Sequence, residues 1–285
     1  MRCSFRTVGP YCAAKWRSFG RSGARCGTFI ANCSVIKGDG YMSENTFRYL
    51  LRHEFRLELR KFFQKKWMAK YGGVIVLLLA AALTVWKERG GFRTEYLLYL
   101  AYMLPYLTFM ISFRVLLREW KNGTVGWWIT LPYSRSTLLL AKFGAAFLHM
   151  LLVYVLFFGS LTLLVLYNAA VHGLGTAPLH NLFAGEAVFA TVLLGLAPFM
   201  LALGLLTAAV AHSRWVVLTP LLWILFGLSA NTLTWVAGNV LSKQPDAWVS
   251  AVLPGWIYPA IPLVWALAGL TLTGAIRIVS RHLRF

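Results

Sequence analysis

The chain has 285 residues, 59% of them hydrophobic, 15% aromatic and only 13% charged, with a mean hydropathy of +0.64. Soluble domains run near 45–50% apolar and about 25% charged, so this composition excludes an ordinary soluble enzyme and a disordered chain, and fits a bundle of membrane helices of about 20 residues each. The formal net charge of +19, from 28 Lys and Arg against 9 Asp and Glu, points in so apolar a chain to an anionic membrane surface rather than to nucleic acid.

Residues 1–41 differ from the rest of the chain. They hold all four cysteines (Cys3, Cys12, Cys26, Cys33), seven Lys or Arg and one acid, Asp39. They show no sustained helical or strand period, no CxxC spacing, and no apolar run long enough for a signal peptide. Four readings fit: a transit peptide, a zinc site, a disordered basic tail, and a start codon assigned too early. The coding pattern favours the last. Lys37-Gly38-Asp39 can be encoded AAA-GGA-GAT, a purine-rich ribosome-binding sequence, and Gly40 and Tyr41 supply a six-nucleotide spacer before Met42. On this reading 1–41 is a non-native extension. The remainder, 42–285, has no cysteine and a net charge of +13, from 21 basic and 8 acidic residues.

From Ser43 the pattern becomes helical, and an amphipathic helix is expected over 43–69. Ser43 can cap its start, with Glu44 near the positive end of the dipole. Arg48, Arg52, Arg56 and Arg60 recur every four residues as a basic stripe. Phe47, Leu50, Leu51, Phe55, Leu59, Phe62 and Phe63 recur at three- and four-residue steps as an apolar face. Such a helix can lie in the membrane interface, its arginines meeting lipid phosphates and its aromatics buried. A helix packed on a protein partner is the alternative, and opposite faces can do both.

A transmembrane domain is expected over 70–285, with six apolar spans near 71–86, 96–117, 143–167, 187–211, 215–237 and 255–279. Pro105, Pro198, Pro220, Pro259 and Pro262 fall within them, which a membrane helix tolerates where neighbours satisfy the freed carbonyls. Placing the N-terminus in the cytoplasm puts 17 of the 21 basic residues after Met42 inside, and an even number of spans returns the C-terminus to the same side. The fold class expected is therefore an all-α integral membrane protein with six transmembrane helices, both termini cytoplasmic, preceded by the interfacial helix.

The spans carry almost no charge. Glu186 is at the outer edge of span four and Arg114 near the inner end of span two, which argues against an ion-coupled pump with buried carboxylates. His149 in span three reads as a packing residue, Asn231 in span five as interhelical glue, and Gly204 with Ala208 as a small-xxx-small contact. His172, His180 and Glu186 are too sparse a set to expect a metal. Nor does any H-E-x-x-H or clustered acid pair suggest a membrane-embedded enzyme.

The stretch between spans two and three, 118–142, reads REWKNGTVGWWITLPYSRSTLLLAK. Gly123 can relieve a turn, Pro132 ends any preceding helix, and Ser134 can cap the helix that restarts into span three. Trp127 and Trp128 suit a membrane interface or a partner's cleft. Glu119 has basic neighbours in Arg118 and Lys121 and the arginine stripe within reach, and a carboxylate–arginine pair there could lock the amphipathic helix to this loop. An ordinary helical hairpin with anchoring tryptophans would also account for these residues.

Here the sequence resembles the permease subunits of bacterial ABC transporters of the ABC-2 type. That family carries a Glu, Gly-Thr four and five residues later, an apolar run, a Pro nine after the Gly, then x-Ser/Thr-Arg, and a Lys ten after the Pro. Glu119, Gly123, Thr124, Pro132, Ser134, Arg135 and Lys142 fall on those positions. Gly126 stands where an acidic residue is common. The resemblance implies that 118–142, with Trp127 and Trp128, docks a separate cytoplasmic ATPase. It also implies that two permease chains, alike or different, work with two ATPase chains, and that the outer segment 168–186 can dip back into the membrane, a plain loop being the equal alternative. ATP and Mg would then sit on the partner. This chain has no G-x-x-x-x-G-K-[ST] loop, so it is not expected to hydrolyse ATP or to bind a cofactor of its own. The expected function is alternating-access transport of a hydrophobic or peptide-like substrate, by resemblance outward, across a bacterial cytoplasmic membrane. The alternative is a non-transporting scaffold or sensor that recruits a cytoplasmic partner through its basic helix.

Overall fold

The computed structural model describes residues 44–64, 72–74, 76–78, 81, 94–126, 133–172, 177–232, 234–235 and 255–281. The chain divides into two units, 1–46 and 47–285. Of the first, only the opening residues of one helix are described. The second holds the bundle and all the contacts that define the site. The expectations for 1–41, and for most of the first span at 71–86, fall outside the described residues.

Among the described residues the regular elements are all helical. They are α1 (Glu44–Gln64), a 3-10 helix (Thr94–Met103) running into α2 (Leu104–Lys121), α3 (Arg135–His172), α4 (Ala177–Ala211), a short 3-10 turn (Val216–Leu218), α5 (Thr219–Ala230) and α6 (Ile257–Arg281). Among the described residues four segments are long and apolar enough to cross a membrane: Leu98–Lys121, Arg135–Val171, Phe183–Ala211 and Ile257–Ser280. They overlap expected spans two, three, four and six. The described part of the fifth is a shorter apolar helix, Val216–Ala230.

The helices run further than the hydropathy pattern alone suggested. Expected loop 168–186 is mostly helix, with α3 continuing to His172 and α4 beginning at Ala177. Nothing in 168–172 breaks a helix, whereas Gly173, Gly175 and Pro178 cluster where the two helices part. Pro105 does not kink a continuous α-helix. It sits in the first turn of α2, where a missing N–H costs nothing, and it marks the change from 3-10 to α geometry.

α4 is the central helix. About 72% of its apolar window is buried, against 22–44% for the other three spans. Its sequence explains why: from Phe189 to Ala211 it has no charge and is apolar all round, so any face can meet a neighbour. Phe189, Leu193 and Leu201 pack on Leu98, Leu104, Met150 and Tyr154 in one core cluster. Met200 and Leu203 meet Phe109, Phe226 and Ala268 in a second. Leu205, Ala208 and Ala209 meet Leu116, Leu139, Ala275 and Val279 in a third, at the end of the bundle where α2 finishes and α3 begins.

Small and polar residues set the close contacts. A Cβ at Gly204 would lie 2.1 Å from Ser112 Oγ and 2.7 Å from the Phe109 carbonyl oxygen, so α2 and α4 approach through this glycine. Tyr154 and Thr108 hydroxyls share a hydrogen bond at 2.8 Å between α3 and α2. Tyr106 donates to Asn231 Oδ1 at 3.2 Å, making Asn231 an interhelical tie between α2 and the end of α5. Pro198 inside α4 frees the carbonyl of Leu194. Next to it, the Gly195 carbonyl accepts from the Trp265 indole of α6 at 3.1 Å, so a neighbouring helix supplies a donor at the proline site.

A candidate functional site in the charged junction at one end of the bundle

α2 ends in a Schellman turn. Gly123 takes φ +66°, its N–H donates to the Trp120 carbonyl at 3.1 Å, and the Thr124 N–H donates to the Glu119 carbonyl at 3.0 Å. The spacing Glu-x-x-x-Gly-Thr thereby has a local cause. Only glycine enters the left-handed region without strain, and the residue after it must reach back to the helix. The Thr124 hydroxyl adds a 2.5 Å bond to Glu119 Oε2, so one oxygen of the carboxylate is held by its own helix end.

The other oxygen is held across the bundle. Lys142 Nζ, in the second turn of α3, donates to Glu119 Oε1 at 2.8 Å and to Glu54 Oε1 of α1 at 2.9 Å. The Lys142 side chain is fully buried, and its two carboxylate partners keep 14% and 17% of their side-chain surface. Glu58, one turn beyond Glu54, pairs with Arg118 of α2. Three carboxylates and two cations thus tie α1, α2 and α3 together. Hydrogen-bonded ion pairs of this kind are shorter and stronger than neutral bonds, and desolvation raises the cost of losing any member. Leu51 seals the seam, its Cδ1 lying 2.8 Å from where a Gly144 Cβ would stand.

The same end gathers two further helices. Ser134 caps α3, its Oγ accepting the Thr137 N–H at 3.2 Å. Arg135 donates to the carbonyls of Ser280 at 2.6 Å and Val279 at 3.3 Å, closing the C-terminus of α6 and complementing its dipole. Trp120 stacks on His212 at the end of α4, ring centroids 4.4 Å apart.

Of the residues singled out in the sequence, Glu119, Thr124 and Lys142 therefore come together, Gly123 shapes their turn, and Ser134 and Arg135 organise the start of α3. Trp127, Trp128 and Pro132 lie outside the described residues. The arginine partner expected for Glu119 is corrected. Arg48, Arg52, Arg56 and Arg60 are exposed, Glu119 meets Lys142, and α1 contributes carboxylates instead. Helical geometry gives the reason. At about 100° per residue, Glu54 and Glu58 lie about 160° round α1 from the centre of the arginine stripe. Only one of those faces can meet the bundle, and it is the one that also carries Leu50 and Leu51.

Glu54, Glu58 and Arg118 carry weight that the sequence reading did not assign. The signal was present: two carboxylates spaced i, i+4 on an apolar helical face are costly there unless basic groups await them. Among the described residues no three His, Cys, Asp or Glu side chains gather as a metal site.

Comparison with curated proteins and with solved structures finds no match. Residues 28–246, about three quarters of the chain, match the family described as ABC-2 family transporter protein. That stretch contains α1 to α5 and the whole junction except the end of α6. With the apolar helices, the match establishes that this chain belongs to the ABC-2 family, as the multi-pass membrane permease component of an ABC transporter, a component that works with an ABC ATPase subunit.

Proposed function

We propose that the chain moves a hydrophobic or peptide-like substrate outward by alternating access, driven by a separate ATPase that docks on 118–142. The observation that supports this reading is the mounting of that segment. It leaves α2 through a fixed turn and re-enters α3 at a capped start. Its base is clamped by Glu119, Lys142 and Glu54. A segment held at both ends can transmit a push to two membrane helices at once. ATP binding then shifts the permease between states only by its differential affinity for them.

In this reading Glu119, Gly123, Thr124 and Lys142 hold the docking segment in place, while Trp127, Trp128 and Pro132 meet the ATPase. Six spans with both termini in a bacterial cytoplasm, a second permease chain beside this one, and anionic lipid against Arg48, Arg52, Arg56 and Arg60 complete the arrangement.

The test is co-purification of the full chain from its own cells in mild detergent, followed by ATPase assay in proteoliposomes. A stoichiometric soluble subunit with a Walker loop, whose turnover falls when Glu119 is replaced by Ala while expression holds, is the expected result. An intact, folded chain that brings no such subunit would overturn the proposal and favour a scaffold or sensor.

A further inference from the structure

α1 has two faces of opposite charge. The inward one carries Glu54 and Glu58, both committed to the junction, with Leu51 on Gly144 and Leu50 against the third core cluster. The outward one carries Arg48, Tyr49, Arg52, His53, Arg56 and Arg60, all exposed. Glu54 and Glu58 are the only acids between 47 and 60, so the outward face has none from Tyr49 to Arg60, while Glu44 stands one turn before Arg48. Tyr49 is 67% exposed and stacks on His53 at 6.3 Å, placing an amphipathic ring within the basic field.

The depth of α1 follows from its partners. Arg118 lies in the last turn of one candidate span and Lys142 in the second turn of the next. A helix bonded to both runs where hydrocarbon gives way to headgroups. Arginines at that level, with no acid beside them on the outward face from Tyr49 to Arg60, match a layer of lipid phosphates in charge and in geometry, and an exposed tyrosine suits the same layer.

We propose that phosphate headgroups of anionic lipids, bound along the outward face of α1, hold α1 onto the junction and so control whether the Glu54–Lys142 and Glu58–Arg118 pairs are made. This rests on the lipid-facing reading of the stripe and adds a regulatory consequence to it. The two faces are linked through one rigid helix. If lipid favours the seated position, breaking the inward pairs weakens lipid binding by the same factor that lipid strengthens them. Anionic lipid content would then set how firmly the 118–142 segment is mounted.

The experiment uses the full chain in nanodiscs of zwitterionic lipid, with and without an anionic phosphoglycerolipid. Seating is read by hydrogen exchange of residues 47–60, and by disulfide formation between Leu51→Cys and Gly144→Cys in a chain whose four native cysteines are Ser. The cysteine at 51 is shorter than leucine and leaves room for the one at 144. Lipid binding is read separately, as anionic lipid retained per chain after purification. Anionic discs should raise protection and cross-linking, and Arg52→Gln with Arg56→Gln should remove that response and lower the lipid retained, through an affinity about 30-fold weaker at about 1 kcal/mol per arginine.

Retention that falls in the double variant while seating never responds to lipid leaves the lipid-facing reading intact and overturns the control proposed here. Equal retention in wild type and double variant, with seating unaffected, removes both. Capture of a soluble acidic subunit by wild type but not by the double variant, with no lipid effect, assigns the face to a protein and also overturns the proposal. Glu54→Gln with Glu58→Gln supplies the reciprocal arm. It should lower lipid retention although it leaves every arginine in place, and unchanged retention contradicts the linkage.

Discussion

Replacing Lys142 by Met tests the junction most directly. The new side chain keeps much of the volume and the apolar stem but removes the charge that Glu54 and Glu119 share at 2.9 and 2.8 Å. Two carboxylates touching one ammonium stand about 5 Å apart, and at an effective dielectric of 20 their repulsion is about 3 kcal/mol once the ammonium is gone. Removing one partner of a buried ion pair costs about 3–5 kcal/mol in general, so both estimates agree on a large effect. Thermal unfolding of the detergent-purified chain, followed by loss of folded monomer on gel filtration, should show a fall of several degrees. The triple variant Lys142→Met, Glu54→Gln, Glu119→Gln distinguishes repulsion from lost packing. It should recover most of the loss, because no uncompensated carboxylate remains at this lysine. A single variant as stable as wild type would refute the reasoning, and so would a triple variant no better than the single.

Three further substitutions probe other contacts. Gly123→Ala forces a side chain into the left-handed region and should cost about 1–2 kcal/mol in thermal unfolding, with Gly123→Asn milder because asparagine tolerates that conformation. Gly204→Ala should destabilise by about 1–3 kcal/mol, and Ser112→Ala added to it should rescue only part, since the Phe109 carbonyl still stands 2.7 Å from the new carbon. Full rescue would mean that the hydroxyl alone sets the helix separation. Arg135→Gln removes the charge that closes α6 and should cost about 0.3–1 kcal/mol, with faster hydrogen exchange confined to the last turn of α6.

The sequence by itself determined the local structure. Hydropathy and helical period located the four long apolar helices that overlap spans two, three, four and six. The run Glu119 to Thr124 dictated its own Schellman turn, because glycine's left-handed freedom and a hydroxyl five residues from a carboxylate act within one helix end. Ser134 marked the start of α3 for the same reason, a cap being a contact three residues long. The membrane class and the family followed from composition and from one 25-residue stretch.

Only the tertiary structure decided which charges meet and which helix lies at the centre. Glu54 and Lys142 are 88 residues apart, and nothing local records that they share a contact. Coulombic pairing depends on distance in space, so a carboxylate on an apolar face announces a need for a partner without naming it. The arginine stripe was the more conspicuous feature of α1, yet its face turned outward, since a helix meets the bundle with one side only. The central place of α4 likewise came from packing. Several helices are apolar enough to be buried, and the neighbours they acquire decide which one is.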